Sequence, residues 1–274
     1  MRAWIAACWG LCLACSAAEG PLLVRQDPAR DAATEGDAGS SSGLPIAQNM
    51  SWQYQLSGEP DLDIDAQLFV IDLFELDVTD IAAQRARGKV LVAYLSAGTV
   101  ESYRADAGDF PDSAIGNVHP AYPNEAWLDV RSEGVRAVMA ARLDLARDKG
   151  FDGIVPTSLS SYLNDTGFDL TAEDLRAYST WLASEAHARG LYVGMTDDFE
   201  QVELLAEHYD WAIHFGCIER GDCAELDLFV GQGKPVLDVE FEGDQAEICA
   251  AGAALGLNVL IKRPQFDAYR VGCL

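Results

Sequence analysis

Residues 150–168 read GFDGIVPTSLSSYLNDTGF, and this stretch joins a helix end, a buried strand and a polar strand tip in one run. Upstream, Val135 to Lys149 places Val138, Met139, Arg142, Leu143 and Ala146 near one stripe at helical spacing. Gly150 is the stop, because glycine adopts the left-handed conformation that ends helices without a Cβ penalty. Asp152–Val155 is then a short apolar run of the kind buried on both faces of a parallel sheet. Thr157 and Ser158 stand at its end.

Working outward, strand-like and helix-like runs alternate, the pattern of an α/β domain. The expected strands are Trp52–Leu56, Leu68–Leu73, Val90–Leu95, Asp152–Val155, Leu191–Met195, Trp211–His214, Val236–Glu240 and Asn258–Ile261. A second long helix is expected over Leu175–Arg189, with Thr171 as N-cap, Asp174 three residues on in capping-box style, and Gly190 as the stop. Eight buried strands is the barrel number, so the expected fold is a single-domain (β/α)8 TIM-like barrel. An open doubly wound sheet is disfavoured, since no glycine-rich phosphate loop follows the first strand.

The barrel occupies residues 49–274, a length that suits a fold of about 200–250 residues. Residues 1–15 read as an export signal: Arg2 is the basic region and Ala3 to Ala14 an apolar run too short to span a bilayer. Leu13-Ala14-Cys15 resembles a lipoprotein box, so Cys15 is the expected lipidation site; cleavage near Ala17 or Ala18 is the alternative. Residues 16–48 are rich in Gly, Ser, Asp and Ala without apolar period, and are expected to form a flexible linker. The expected location is the cell envelope or the exterior, with no membrane contact beyond the lipid.

The formal charge is −25, and no Lys/Arg stripe exists to contact phosphates. Nucleic acid is therefore excluded as a partner, while a cationic polymer would be attracted. Outside the leader lie Cys217, Cys223, Cys249 and Cys273. An even number in an exported chain favours disulfides. Four cysteines allow three pairings; the favoured one is Cys217–Cys223, closing a short loop, with Cys249–Cys273 stapling the C-terminus. His119, His187, His208 and His214 show no metal-ligand spacing, so neither a metal nor another cofactor is expected.

In a barrel, chemistry collects where strands end at the C-terminal face. That rule selects Asp72, Tyr94, Ser96, Thr157, Ser158, Thr196, Asp197, Asp198, His214, Asp238 and Glu240, with Glu101 and Arg104 just beyond the third strand. Tyr94, Tyr162 and Trp211 are candidate stacking rings for a ligand.

The opening stretch resembles the GFDGVEPDNVDGYxNxTGF signature of glycoside hydrolase family 114, the endo-α-1,4-polygalactosaminidase-like barrels. Further segments are similar to that family in series: IDLFELD at Asp72, YLSAGTVESYR at Tyr94, Glu101 and Arg104, NEAWLDVR at Glu125, VGMTDD at Asp197, and KPVLDVEF at Glu240. The cysteine positions of Cys217 and Cys223 also match its NEQCxxYxxC pattern. The resemblance implies a barrel acting on an amino-sugar polysaccharide, and site roles for Asp72, Tyr94, Glu101, Arg104, Thr157, Tyr162, Asp197, His214 and Glu240.

Two departures stand out. Thr157 occupies the place of the Asp of VEPDN, with Val155 replacing the neighbouring Glu, and Phe215 occupies the place of the Glu of NEQC. Glycoside cleavage uses two carboxyl groups, one to protonate the leaving oxygen and one to attack or activate water. Losing a general acid costs on the order of 10²–10⁴ in rate. The expectation is a monomeric, exported barrel that binds a cationic galactosamine-containing polysaccharide with reduced or absent hydrolysis. Two alternatives stay open: an active O-glycosyl hydrolase whose carboxylates have moved to Asp197, Asp238 or Glu240, and a non-enzymatic envelope interaction protein.

Overall fold

A computed structural model describes residues 43–274. Its strands are β1 (Trp52–Gln55), β2 (Leu68–Asp72), β3 (Val90–Ser96), β4 (Thr99–Glu101), β5 (Ile115–Val118), β6 (Glu125–Leu128), β7 (Gly153–Thr157), β8 (Tyr192–Met195), β9 (Trp211–Phe215), β10 (Val236–Glu240), β11 (Asn258–Ile261) and β12 (Val271–Gly272). The helices are α1 (Val78–Ala86), α2 (Glu133–Lys149), α3 (Ala172–Ala188), α4 (Val202–Leu205), α5 (Cys217–Arg220), α6 (Asp227–Gly231) and α7 (Gln245–Leu255).

One sheet runs in the order β1-β2-β3-β7-β8-β9-β10-β11-β12. All neighbours in it are parallel except the last pair, β11–β12. The sheet curls into a nearly closed barrel, and its eight parallel strands are the expected ones. Side chains and loops bridge the seam: Asn258 Nδ2 donates to the Met50 carbonyl at 2.7 Å, and Leu56 N–H to the Phe266 carbonyl at 2.9 Å.

Strand residues alternate between two cores, as period-2 geometry requires. Trp52, Val70, Val92, Val155, Trp211 and Leu237 fill the barrel interior, whereas Phe69, Leu91, Ile154, Val193 and Val236 pack outward under the helices. Trp211, a candidate stacking ring, is instead fully buried at the start of β9. It fits because Gly194 has no side chain: a Cβ there would lie 2.4 Å from the indole.

The long helices form as their end signals dictate. Thr171 Oγ1 accepts from Asp174 N–H at 3.2 Å and Asp174 Oδ2 accepts from Thr171 N–H at 2.9 Å, a reciprocal capping box. α2 ends on Gly150 with φ 92°. Its stripe buries Arg142, tolerated because the guanidinium donates to Asp106 at 2.8 and 3.0 Å and to the Ser96 carbonyl at 2.9 Å. The sulfurs pair as Cys217–Cys223 and Cys249–Cys273.

Two features depart from expectation. Packing begins before residue 49: Ile46 is buried against the interior cluster, and Gln48 bonds the Val236 N–H and carbonyl at 2.7 and 2.9 Å. Residues 44–48 thus close the barrel floor, because that floor is apolar and must be covered. The other is a small antiparallel sheet, β4-β6-β5, inserted between β3 and α2. Cys15, the leader and the linker up to residue 42 lie outside the described residues.

Candidate functional site

The C-terminal ends of β2, β3, β7 and β8 converge on a polar rim. Asp72 follows Leu68 and Val70 on the inward register of β2. Its Oδ1 accepts the Phe74 N–H at 2.9 Å and its Oδ2 takes a close contact from Arg104 Nη2. Arg104 also donates to Glu101 at 2.9 and 3.0 Å. All three side chains are at most 10 % exposed, so these acids and this base saturate one another. Burial raises the Asp72 carboxyl, against the Phe74 amide and the Arg104 charge. Of the residues expected to bind substrate, Asp72, Glu101 and Arg104 therefore form the scaffold of the rim.

The next layer is less committed. Thr157 Oγ1 lies 3.2 Å from the Tyr94 hydroxyl. Asp197, half-buried, accepts the backbone N–H of Leu159 at 3.1 Å and that of Ser158. Burial pushes the Asp197 carboxyl up, and the group is close enough to Tyr54 and Tyr94 to oppose ionisation of both phenols. The tips of β3 and β7 approach closely: Gly98 packs so near Ser158 that a Cβ would sit 1.8 Å from its carbonyl oxygen. Ser158 and Asp198 have φ of 65° and 61°, a left-handed conformation that costs about 1–2 kcal/mol per non-glycine residue. Such strain is commonly kept at functional sites.

Asp198 accepts from Gln201 at 2.6 Å and faces the Tyr162 hydroxyl at 2.8 Å; Glu200 faces the same hydroxyl at 3.1 Å. Burial pushes Asp198 up to about 6. A second polar chain runs from Ser158 through Ser96 and Thr99 to Glu125, with oxygen separations of 3.4, 2.5 and 2.6 Å.

Opposite this rim stands an aromatic wall. Phe215 follows Trp211 and Ile213 on the inward face of β9. It meets Tyr54 at 5.5 Å and Phe266 at 5.9 Å between centroids, and Phe266 meets Phe241 at 5.6 Å. Positions 157 and 215, where the resemblance places carboxylates, thus both face the mouth, one bearing a hydroxyl and one a phenyl ring. Sequence reading missed Tyr54, Phe241 and Phe266. Tyr54 was findable, two residues beyond Trp52 in a strand of period 2; Phe266 lies in an irregular loop and gives no such signal.

His214, Asp238 and Glu240 are not in the mouth, contrary to expectation. Leu237 and Val239 take the inward register of β10, so Asp238 and Glu240 point the other way, and His214 does likewise on β9. Asp238 Oδ1 accepts the Cys217 N–H at 3.4 Å and Glu240 Oε1 the Ile218 N–H at 2.7 Å, at the turn that starts α5. Both are fully buried, and burial with the adjacent Asp238 pushes Glu240 up to about 7. His214 Nδ1 lies 3.7 Å from Asp238, beyond hydrogen-bond range. His214 and Asp238 approach Cys217, but its sulfur is bonded to Cys223 and offers no metal ligand. Two shallow, open surface hollows lie away from the mouth, one against Phe74, Leu76 and Leu145, the other beside Cys249–Cys273.

The model of glycoside-hydrolase family GH114 matches residues 32–274. Among solved structures, Ega3 of Aspergillus fumigatus in complex with galactosamine shares 30 % identity, a TM-score of 0.79, 87 % of this chain and 100 % of that one. The glycoside hydrolase domain of PelA from Pseudomonas aeruginosa, at 18 % identity, TM-score 0.65 and coverage of 81 % and 97 %, supports the fold alone. An uncharacterized protein of Deinococcus radiodurans is 27 % identical over 164 residues, 50 % of this chain and 49 % of that protein, so the chain spans about half the length of that relative.

Proposed function

The chain belongs to glycoside hydrolase family 114, and from that premise we propose that it binds an amino-sugar polysaccharide across the barrel mouth, with hydrolysis reduced or absent. The observation that carries this reading is the pairing of Thr157 with Phe215 at the two mouth positions where the family resemblance calls for carboxylates. Neither side chain can donate a proton to a leaving oxygen or activate water near neutral pH, which is what glycoside cleavage requires. Asp238 and Glu240 do not compensate, since they are buried on the outward register beneath the α5 turn.

Binding has independent support. Asp197, Asp198, Glu200 and Glu125 give the rim a negative potential suited to an ammonium-bearing sugar, in a chain of net charge −25. The half-buried rings of Phe215, Phe241 and Phe266, backed by buried Tyr54, supply an apolar face. The galactosamine held by Ega3 names the sugar class. Two disulfides fit export into an oxidising compartment. The same reading has the chain tethered through a lipid on Cys15 and acting as a monomer.

Titration with α-1,4-linked galactosamine oligosaccharides, with reducing ends measured in parallel, tests the proposal. Saturable binding is expected, with cleavage lower than that of an acid/base-equipped relative by a factor on the order of 10² or more. A second reading, hydrolysis through Asp197, draws on the burial-raised carboxyl of that residue. Reducing-end release at a hydrolase rate, abolished in Asp197→Asn, would establish it and displace the first.

A further inference from the structure

The β5–β6 connection carries a built aromatic ladder that the mouth residues leave unused. At its base Trp127 is buried. His119 packs on that indole at 4.6 Å between centroids, and Tyr122 packs on His119 at 4.8 Å with planes 32° apart. The turn is pinned by backbone bonds: His119 N–H to the Glu125 carbonyl at 2.8 Å, Glu125 N–H to the Tyr122 carbonyl at 2.9 Å, and Tyr122 N–H to the His119 carbonyl at 3.3 Å. Ala121 N–H donates to His119 Nδ1 at 3.1 Å, fixing the imidazole as an acceptor there, and burial lowers its basicity. Despite this support the outermost ring, Tyr122, is 57 % exposed. The part of that ring left in water contributes nothing to folding, since the stabilisation comes from apolar area removed from water.

Its position ties it to the mouth. β4 leaves the tip of β3, Glu101 and Glu125 are cross-strand partners, and Thr99 links Glu125 to Ser96. A flat ring beside a carboxylate-lined rim matches the apolar C–H face of a pyranose, and its quadrupole attracts a neighbouring ammonium.

We propose that Tyr122 is a stacking platform for a second sugar unit next to the mouth, so that the protein selects amino-sugar chains over single amino sugars. This rests on the reading of the mouth as an amino-sugar site. Calorimetric titration of wild type, Tyr122→Ala and Tyr122→Phe with galactosamine and with an α-1,4-linked galactosamine tetrasaccharide separates the two claims. The platform predicts tighter binding of tetrasaccharide than monosaccharide by wild type. It predicts about a tenfold loss for tetrasaccharide in Tyr122→Ala with monosaccharide unchanged, and wild-type behaviour in Tyr122→Phe, which keeps the ring. Tetrasaccharide affinity unchanged in Tyr122→Ala, or equal loss for both ligands, overturns the platform while the mouth reading stands. Failure of wild type to bind either ligand overturns both.

Discussion

On the β2–β3–β7 side of the barrel, Asp72, Tyr94 and Thr157 end their strands on the inward register; on the β9–β10 side, His214, Asp238 and Glu240 end theirs on the outward one. The first group meets Arg104, a polar rim and Asp197. The second is sealed beneath the α5 turn and the Cys217–Cys223 bridge, with backbone N–H groups donating to Asp238 and Glu240 and Arg220 Nη2 facing His214 Nε2 at 3.3 Å. Register separates Asp72, which meets Arg104 beside the mouth, from Asp238 and Glu240, which meet the start of α5, because a one-residue shift in a strand reverses every side chain.

The largest effect that sharpens this contrast is expected at Arg104. Arg104→Ala strands Asp72 and Glu101 as buried acids without their cation, and should cost about 3–5 kcal/mol in denaturant unfolding. Among the described residues no guanidinium bonds Asp238 or Glu240, so stability on the β9–β10 side should instead follow pH.

Glu240, lifted from 4.5 to about 7 in the folded chain, holds its proton more tightly when native than when unfolded. Its contribution is complete below about pH 4.5 and is lost as pH rises to about 7, for a total of about 2–3 kcal/mol. Unfolding free energies measured across that interval should fall less steeply in Glu240→Gln than in wild type; equal slopes would show that the Glu240 carboxyl is not raised in the folded chain.

A smaller effect distinguishes the two sides by ligand. Asp197→Asn should weaken binding of a galactosamine oligosaccharide about tenfold, or about 1.4 kcal/mol, whereas Asp238→Asn should leave the dissociation constant unchanged. A loss of affinity in Asp238→Asn would break the parity assignment. Smallest of all, Tyr94→Phe removes one hydroxyl facing Thr157 and should weaken the same binding by about two- to fivefold, the scale of a single neutral hydrogen bond.

Much of the frame was legible because it is local. The stripe Val138–Ala146, the Thr171–Asp174 box and Gly150 each act within a few residues, and all behave in the structure as their chemistry demands. Short Val/Ile/Leu runs likewise revealed all eight parallel strands. Less legible was the β4–β6–β5 insertion: its strands are short, β5 is half exposed, and its register with β6 shifts. Trp211 was misread as a stacking ring because nothing near it in sequence announces the space that Gly194 and Gly153 leave for it. The placement of His214, Asp238 and Glu240 in one mouth failed for a related reason. Strand ends follow from local composition, whereas the phase that turns Ile213 and Val239 inward, and their neighbours outward, is set by closure of the sheet.

By itself the sequence determined the alternation of strand and helix, the family, and the residue types now standing at positions 155, 157 and 215, since these follow from local pattern and motif. Only the tertiary structure decided which carboxylates share a space with Tyr94 and Thr157, that Arg104 joins Asp72 to Glu101, and that Phe266 crosses from the far end of the chain to Tyr54. Those contacts join residues far apart in sequence, and their energies depend on closure of the sheet, which no single segment encodes.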